Sequence, residues 1–160
     1  MRFFTTLTSL VLLCASSQAT TATLAYDPVY DDGGHSLSTV TCSNGPYGLL
    51  NRGFTNFASL PNFPNIGAAS VVTGWTSDKC GSCWQLTYTP PRGPKRSIYM
   101  LAIDGAPGGG FVTGLRAMNY LTNNRAIQLG RVDVVSRQVH ESKCSLSDRE
   151  PEDQPEDQSE

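Results

Sequence analysis

An even set of cysteines in a chain that opens with an export signal constrains this fold more than any other feature of the sequence. Arg2 supplies a positive start, and Phe3 to Cys14 form an apolar stretch broken only by Thr5, Thr6, Thr8 and Ser9. Ser17-Gln18-Ala19 then gives the small-x-small pattern of a signal-peptidase site, so residues 1–19 read as a signal peptide cleaved after Ala19. The apolar part is far shorter than the ~20 residues that span a bilayer. A mature protein that is soluble and extracellular is expected. Cys14 leaves with the signal, while Cys42, Cys80, Cys83 and Cys144 remain. In an oxidising compartment such a set reads first as two disulfides, which could pair in three ways that spacing alone does not separate. Cys80-Gly81-Ser82-Cys83 also matches a redox or zinc half-site. No second such pair exists and His35 and His140 stand isolated, so neither a metal nor a cofactor is expected.

Charge divides the remaining chain. Residues 20–147 carry ten bases against seven acids, a net +3, whereas the stretch from Asp148 holds seven acids and one base. The bases are scattered, with no stripe and no interleaved aromatics, which argues against nucleic acid as a partner. The tail, residues 148–160, contains Pro-Glu-Asp-Gln twice and has no apolar residue to bury. It cannot offset its own ordering entropy and is expected to be disordered. One domain over 20–147 is left.

Along that domain, Leu24 to Tyr30 is short and aromatic, and Asp31-Asp32-Gly33-Gly34 breaks it as a turn would. Ser36 to Cys42 reads as a β segment, and residues 43–67 as irregular backbone with one short helix. Ser70 to Trp75 is β-branched and predicts a strand. In Cys83 to Thr89, Trp84, Leu86 and Tyr88 alternate with Gln85 and Thr87, which predicts a strand with Trp84 on its core face. Pro90-Pro91-Arg92-Gly93-Pro94 is a stiff turn, and Ser97 to Asp104 is a nearly continuous apolar run, buried on both faces. Phe111, Leu115 and Met118 fall at helical spacing, with Asn123-Asn124 to end the helix. Ile127 to Val139 reads as one or two strands split near Gly130. Many short strands, one helix and frequent turns point to a small barrel.

Several segments together carry a family resemblance. They include Tyr26-Asp27-Pro28-Val29-Tyr30-Asp31, Gly48-Leu49-Leu50-Asn51-Arg52-Gly53-Phe54 and Ser59-Leu60-Pro61-Asn62-Phe63-Pro64-Asn65-Ile66-Gly67. Gly74-Trp75, Cys80-Gly81-Ser82-Cys83-Trp84, Leu101-Ala102-Ile103-Asp104, Ala117-Met118-Asn119 and Ala126-Ile127-Gln128-Leu129-Gly130 follow in order. From about Thr23 to Leu146 the chain resembles the fungal cerato-platanins. The resemblance implies a mainly β chain with one or two short helices: a six-stranded double-ψ β-barrel stapled by disulfides Cys42–Cys80 and Cys83–Cys144. It also implies a secreted, wall-associated protein that binds chitin or N-acetylglucosamine oligomers, loosens polysaccharide without cutting it, self-assembles at interfaces and elicits plant defence, with a plant immune receptor as a further partner.

The same barrel is similar to that of expansins and certain endoglucanases, so a hydrolase must be weighed. An inverting glycosidase needs a protonated acid on one side of the bond and a carboxylate base opposite. Asp104 falls where those proteins carry an aspartate. Their acid lies in a His-Phe-Asp-Leu-Ser segment, and the matching stretch here is Gly110-Phe111-Val112-Thr113-Gly114. Val112 holds the acid position, where the usual cerato-platanin has asparagine. No hydrolysis is expected, and the alternatives are a weak endoglucanase or a surface-active coat protein.

The candidate sugar-binding residues are Asp104, Tyr26, Asp27, Tyr30 and Asn44. Sugars present flat C–H faces and hydroxyl edges, which aromatic plates beside acids and amides suit. Each of the five could instead seal the barrel end or satisfy a turn. Most family members have Asp at the place of Asn44. The glycine run Gly105-Ala106-Pro107-Gly108-Gly109-Gly110 lacks the Lys-Ser/Thr of a phosphate cradle and reads as the floor of a shallow groove. Trp75 could serve core or surface, and His35 and His140 read as surface residues.

Overall fold

A computed structural model describes residues 18–146 of the chain. The signal up to residue 17 and the acidic tail lie outside the described residues. Six strands close into a barrel: β1 (Thr20–Tyr26), β2 (Ile66–Ala69), β3 (Cys83–Tyr88), β4 (Arg96–Gly105), β5 (Phe111–Thr113) and β6 (Arg131–Val139), in the spatial order β1-β5-β2-β4-β3-β6. Two pairs are parallel, β1 with β5 and β2 with β4, and the others antiparallel. This is the six-stranded barrel expected. The helices α1 (Leu115–Thr122) and α2 (Ala126–Leu129) follow β5. Disulfides join Cys42 to Cys80 and Cys83 to Cys144, the pairing the resemblance implied.

Where the residues alternate, the strands form as read. β6 buries Val132, Val134 and Ser136 and exposes the residues between, and β3 buries Cys83, Leu86 and Tyr88. β-Branched side chains suit a pleated, half-buried surface. The Pro-rich turn closes the β3–β4 hairpin, in which Tyr88 faces Arg96. Along β4, Met100 to Ile103 are buried on both faces, whereas Ser97 and Tyr99 reach solvent. The core gathers Leu24, Ile66, Leu86, Met100, Leu101 and Phe111 with the helix residues Met118 and Leu121. Burying each such side chain contributes about 1.5–3 kcal/mol.

Five expectations need correction. Ser36 to Cys42 is not a strand: Leu37–Thr39 form a 3-10 turn, and only Ser36 makes an isolated bridge, to Asn56. The cause is local. Ser36 Oγ accepts from the Ser38 N–H at 3.2 Å and Thr39 Oγ1 donates to the Ser36 carbonyl at 2.8 Å, giving the backbone an alternative to a ladder. The strand expected at Ser70 to Trp75 lies just ahead, at β2, and the chain turns after it as the Val72 N–H donates to the Ala69 carbonyl. Phe111 belongs to β5, so α1 begins only at Leu115. Residues 127–129 are helical, and β6 starts after Gly130. Residues 43–67 hold two 3-10 turns, at Leu50–Arg52 and Phe57–Ser59, rather than one short helix.

The start of α1 is held from elsewhere in the chain. Its N-cap is Gly114, which has no side chain to cap with. Asp31, at the end of the 3-10 turn Pro28–Asp31, fills that role: its carboxylate accepts from the Arg116 N–H at 3.2 and 3.4 Å and from Arg116 Nε at 3.3 Å. A Cβ on Gly114 would collide with Asp31 Oδ1, so glycine is what lets the acid approach. The α1 N-terminus thereby gains both a hydrogen-bond acceptor and a complementary charge.

Candidate functional site

Asp104 stands at the carboxyl end of β4, half-buried, where the strand gives way to the glycine-rich loop. Its Oδ1 accepts three hydrogen bonds, from the Thr41 N–H at 2.9 Å, Thr41 Oγ1 at 2.6 Å and the Gly105 N–H at 2.8 Å. Its Oδ2 accepts one, from Tyr30 OH at 3.3 Å. The carboxylate therefore ties three segments together and keeps lone-pair capacity on Oδ2.

Tyr30 is buried, 6% exposed, and its ring stacks on Phe57 with centroids 6.0 Å apart. Burial holds its phenol well above the ordinary value, and the Asp104 charge, the hydrogen bond to it and the Asp27 charge push the same way. Tyr30 is thus a neutral donor to Asp104, not an exposed plate. Asp27 is exposed and caps the turn that carries Tyr30, its Oδ1 accepting from the Val29 N–H at 2.9 Å. Tyr26, at the end of β1, is half-buried and packs against the core.

Asn44 takes a different place. Its Oδ1 accepts from Trp75 Nε1 at 3.0 Å and from Ser43 Oγ at 3.3 Å. The indole so held is 53% exposed. A Cβ on Gly45 would collide with the Trp75 carbonyl oxygen, so the two loops meet backbone to backbone. Between these two groups runs an open groove of about 510 Å3. Thr41 and Gly105, the partners of Asp104, line it along with Val72, Ala106 and Pro107, and Gly74 brings it to the foot of Trp75.

The structure thus brings Asp27, Tyr30 and Asp104 into one electrostatic cluster, and places Asn44 with Trp75 at the neighbouring rim. Sequence reasoning missed Thr41, whose partner lies 63 residues away, and left Trp75 undecided. The pairing of Gly74-Trp75 with an amide at Asn44 was visible only as separate motifs. Trp84 meets the expectation in part. It packs on the core with its ring centroid 5.3 Å from that of Phe111, and its Nε1 donates to Ser82 Oγ at 2.9 Å. His140 is exposed, and His35 lies half-buried with its ring 5.0 Å from that of Phe57.

Comparison with known proteins shows what the whole chain is similar to. A family model described as Cerato-platanin matches residues 22–146. The protein named "Allergen Asp f 15 homolog" from Arthroderma benhamiae is 44% identical over 135 residues, 84% of this chain, which spans 63% of that relative's own length. The crystal structure of cerato-platanin 1 from M. perniciosa is similar at 46% identity and a TM-score of 0.74, covering 77% of this chain and 98% of that one. The solution structure of "the fungal elicitor Cerato-Platanin" is similar at 36% identity and a TM-score of 0.63, covering 76% of this chain and 95% of that one.

Proposed function

This chain belongs to the cerato-platanin family, and from that premise we propose that it is a secreted, wall-associated carbohydrate-binding protein that takes chitin or other N-acetylglucosamine oligomers without hydrolysing them. Expansin-like loosening of wall polysaccharide and elicitation of plant defence belong to the same proposal. The observation that carries it is the groove between the Asp104–Thr41 tie and the Trp75 plate. An exposed indole held by Asn44 suits the C–H face of a sugar, and the remaining lone pair of Asp104 Oδ2 suits a hydroxyl or acetamide N–H. Asp27 and Tyr30 belong to the same cluster as Asp104, and Tyr26 is half-buried against the core at the end of β1.

Two further observations support the reading. At the position aligned with a glycosidase acid, Val112 sits in β5 opposite Ala25 and Ala68 and has no proton to give. Two formed disulfides suit an oxidising, extracellular setting, and among the described residues no helix is long and apolar enough to cross a membrane. The test is a calorimetric titration with N-acetylglucosamine oligomers of increasing length, beside a reducing-end assay on chitin and cellulose. Trp75→Ala should weaken binding about tenfold, and no reducing ends should appear. Release of reducing ends by the wild type, or indifference to Trp75→Ala, would remove this reading.

One observation favours a second reading, a surface-active coat. Tyr47, Trp75, Tyr99, Tyr120, Ile127 and Val135 are large apolar side chains open to solvent. A surface-tension measurement on wild type and Ile127→Ser separates it from glycan binding, which should not change.

A further inference from the structure

A second groove lies on another part of the barrel. Tyr99 on β4, Arg116 and Tyr120 on α1, and Pro64 and Asn65 ahead of β2 bound an open cleft of about 380 Å3. Asp104 lies five residue steps along the extended strand from Tyr99, roughly 17 Å at the rise of a β-strand. The volume falls within the roughly 300–1,000 Å3 of clefts that hold small ligands.

The polar groups of this cleft are unevenly used. Arg116 is committed: its Nε donates to Asp31 Oδ1 at 3.3 Å, a second guanidinium nitrogen donates to the Asp31 carbonyl at 2.9 Å, and the group stands 5.2 Å over the Phe63 ring. Arg96 stands 5.7 Å over the Tyr120 ring while donating to the Tyr120 carbonyl and to Asn123 Oδ1, which steadies that end of α1. Both cations are thus engaged, and Arg116 is matched by an acid. By contrast, Tyr99 and Tyr120 are 37% and 57% exposed. Among the described residues, neither phenol and not the Asn65 carboxamide has a hydrogen-bond partner, although the Asn65 backbone carbonyl accepts from Leu101 N–H and Asn62 Nδ2.

We propose that this cleft is a second binding site, for a neutral, extended pyranose chain, with Tyr99 and Tyr120 as stacking plates and Asn65 as the group that reads hydroxyls. The flat C–H face of a sugar ring matches a phenol ring. A pyranose hydroxyl both donates and accepts, which satisfies both ends of a carboxamide. Tyrosines have few rotatable bonds, so ordering them on a ligand costs little. A polyanion would have to displace Asp31 from Arg116. A proline-rich peptide also lies on aromatic grooves, but its carbonyls only accept and would leave the Asn65 oxygen unanswered. The site is separate from the groove at Asp104 and does not rest on it. With both occupied, one molecule could bridge two polymer chains, and avidity for the polymer would exceed either affinity.

The test is amide-resolved NMR of the mature chain with cellohexaose, with chitohexaose and with a proline decapeptide. With one of the two sugars, the resonances of Asn65, Tyr99 and Tyr120 should shift, in Trp75→Ala as in the wild type. Tyr120→Ala should weaken that site about tenfold, while Tyr120→Phe, which keeps the plate, should stay within about threefold. Both rings are exposed, so the barrel should be undisturbed, and matching spectra elsewhere check it. Shifts confined to Thr41, Gly74 and their neighbours would overturn the proposal. So would a response of these residues to the peptide and to neither sugar, or an unchanged affinity in Tyr120→Ala. Shifts here without any at Thr41 would leave this site standing and remove the reading of the Asp104 groove alone.

Discussion

At the scale of single residues, Asp104 joins two jobs that its neighbours make inseparable. Its Oδ1 holds the Thr41 loop and Oδ2 faces Tyr30. In Asp104→Asn an amide oxygen can keep the Thr41 and Gly105 bonds, so the fold should persist with a loss of about 1–2 kcal/mol in urea unfolding, because hydrogen bonds to a charge are the stronger kind. Oligosaccharide affinity should fall roughly tenfold to a hundredfold in the same titration that tests Trp75. Tyr30 gives a pH signature. The folded state favours its neutral phenol, so its stability contribution is complete below the ordinary phenol value of about 10 and falls as pH climbs above it, where the unfolded chain releases its proton first. Unfolding free energy measured from about pH 8 to 11 should therefore decline, and more shallowly in Tyr30→Phe. An equal slope in both would place the alkaline sensitivity elsewhere. At this scale the place of Asp104, at the end of an apolar strand and before a glycine-rich loop, was legible in the sequence. It did not show that Tyr30 is buried or that Asn44 steadies Trp75, because both depend on contacts between distant loops.

At the scale of elements, α1 depends on an acid that is not its own. Asp31→Ala removes the acceptor and the charge at the helix N-terminus and should cost about 1–2 kcal/mol in urea unfolding, whereas Asp31→Asn, which keeps an acceptor, should cost less. Equal losses would show that charge adds nothing there. Legibility followed side-chain alternation. β3 and β6 could be read because apolar and polar residues take turns along them. β2 could not, because Ile66-Gly67-Ala68-Ala69 is a run of mostly small residues, fully buried between β4 and β5, with a register shift inside it. Phe111 fell at helical spacing by coincidence, and pairing with β1 and β2 on either side of β5 decided against it. The Ser36 to Cys42 segment had strand composition, but hydroxyl side chains satisfied its backbone locally.

At the scale of the whole molecule, the cross-links carry much of the stability, since a domain rich in Gly and Pro has a modest core. Each disulfide closes a loop of tens of residues, for which chain entropy predicts about 4 kcal/mol. Replacing Cys42 and Cys80 together with Ser should cost about 2–5 kcal/mol, measured by calorimetric melting. A melt unchanged by the double substitution would show that packing alone suffices. The two bonds also meet almost end to end, since one finishes at Cys80 and the other starts at Cys83. A protease that nicks the backbone between Cys42 and Cys80, or between Cys83 and Cys144, leaves the halves covalently joined. Within that whole span only the peptide bonds from Cys80 to Cys83 would let them part. There Gly81 is buried, its N–H donates to the Ala102 carbonyl, and the Ser82 carbonyl accepts from the Ala102 N–H. The one vulnerable seam is sewn into the barrel wall, so a clipped molecule should migrate as one piece on a gel until a reductant separates its fragments.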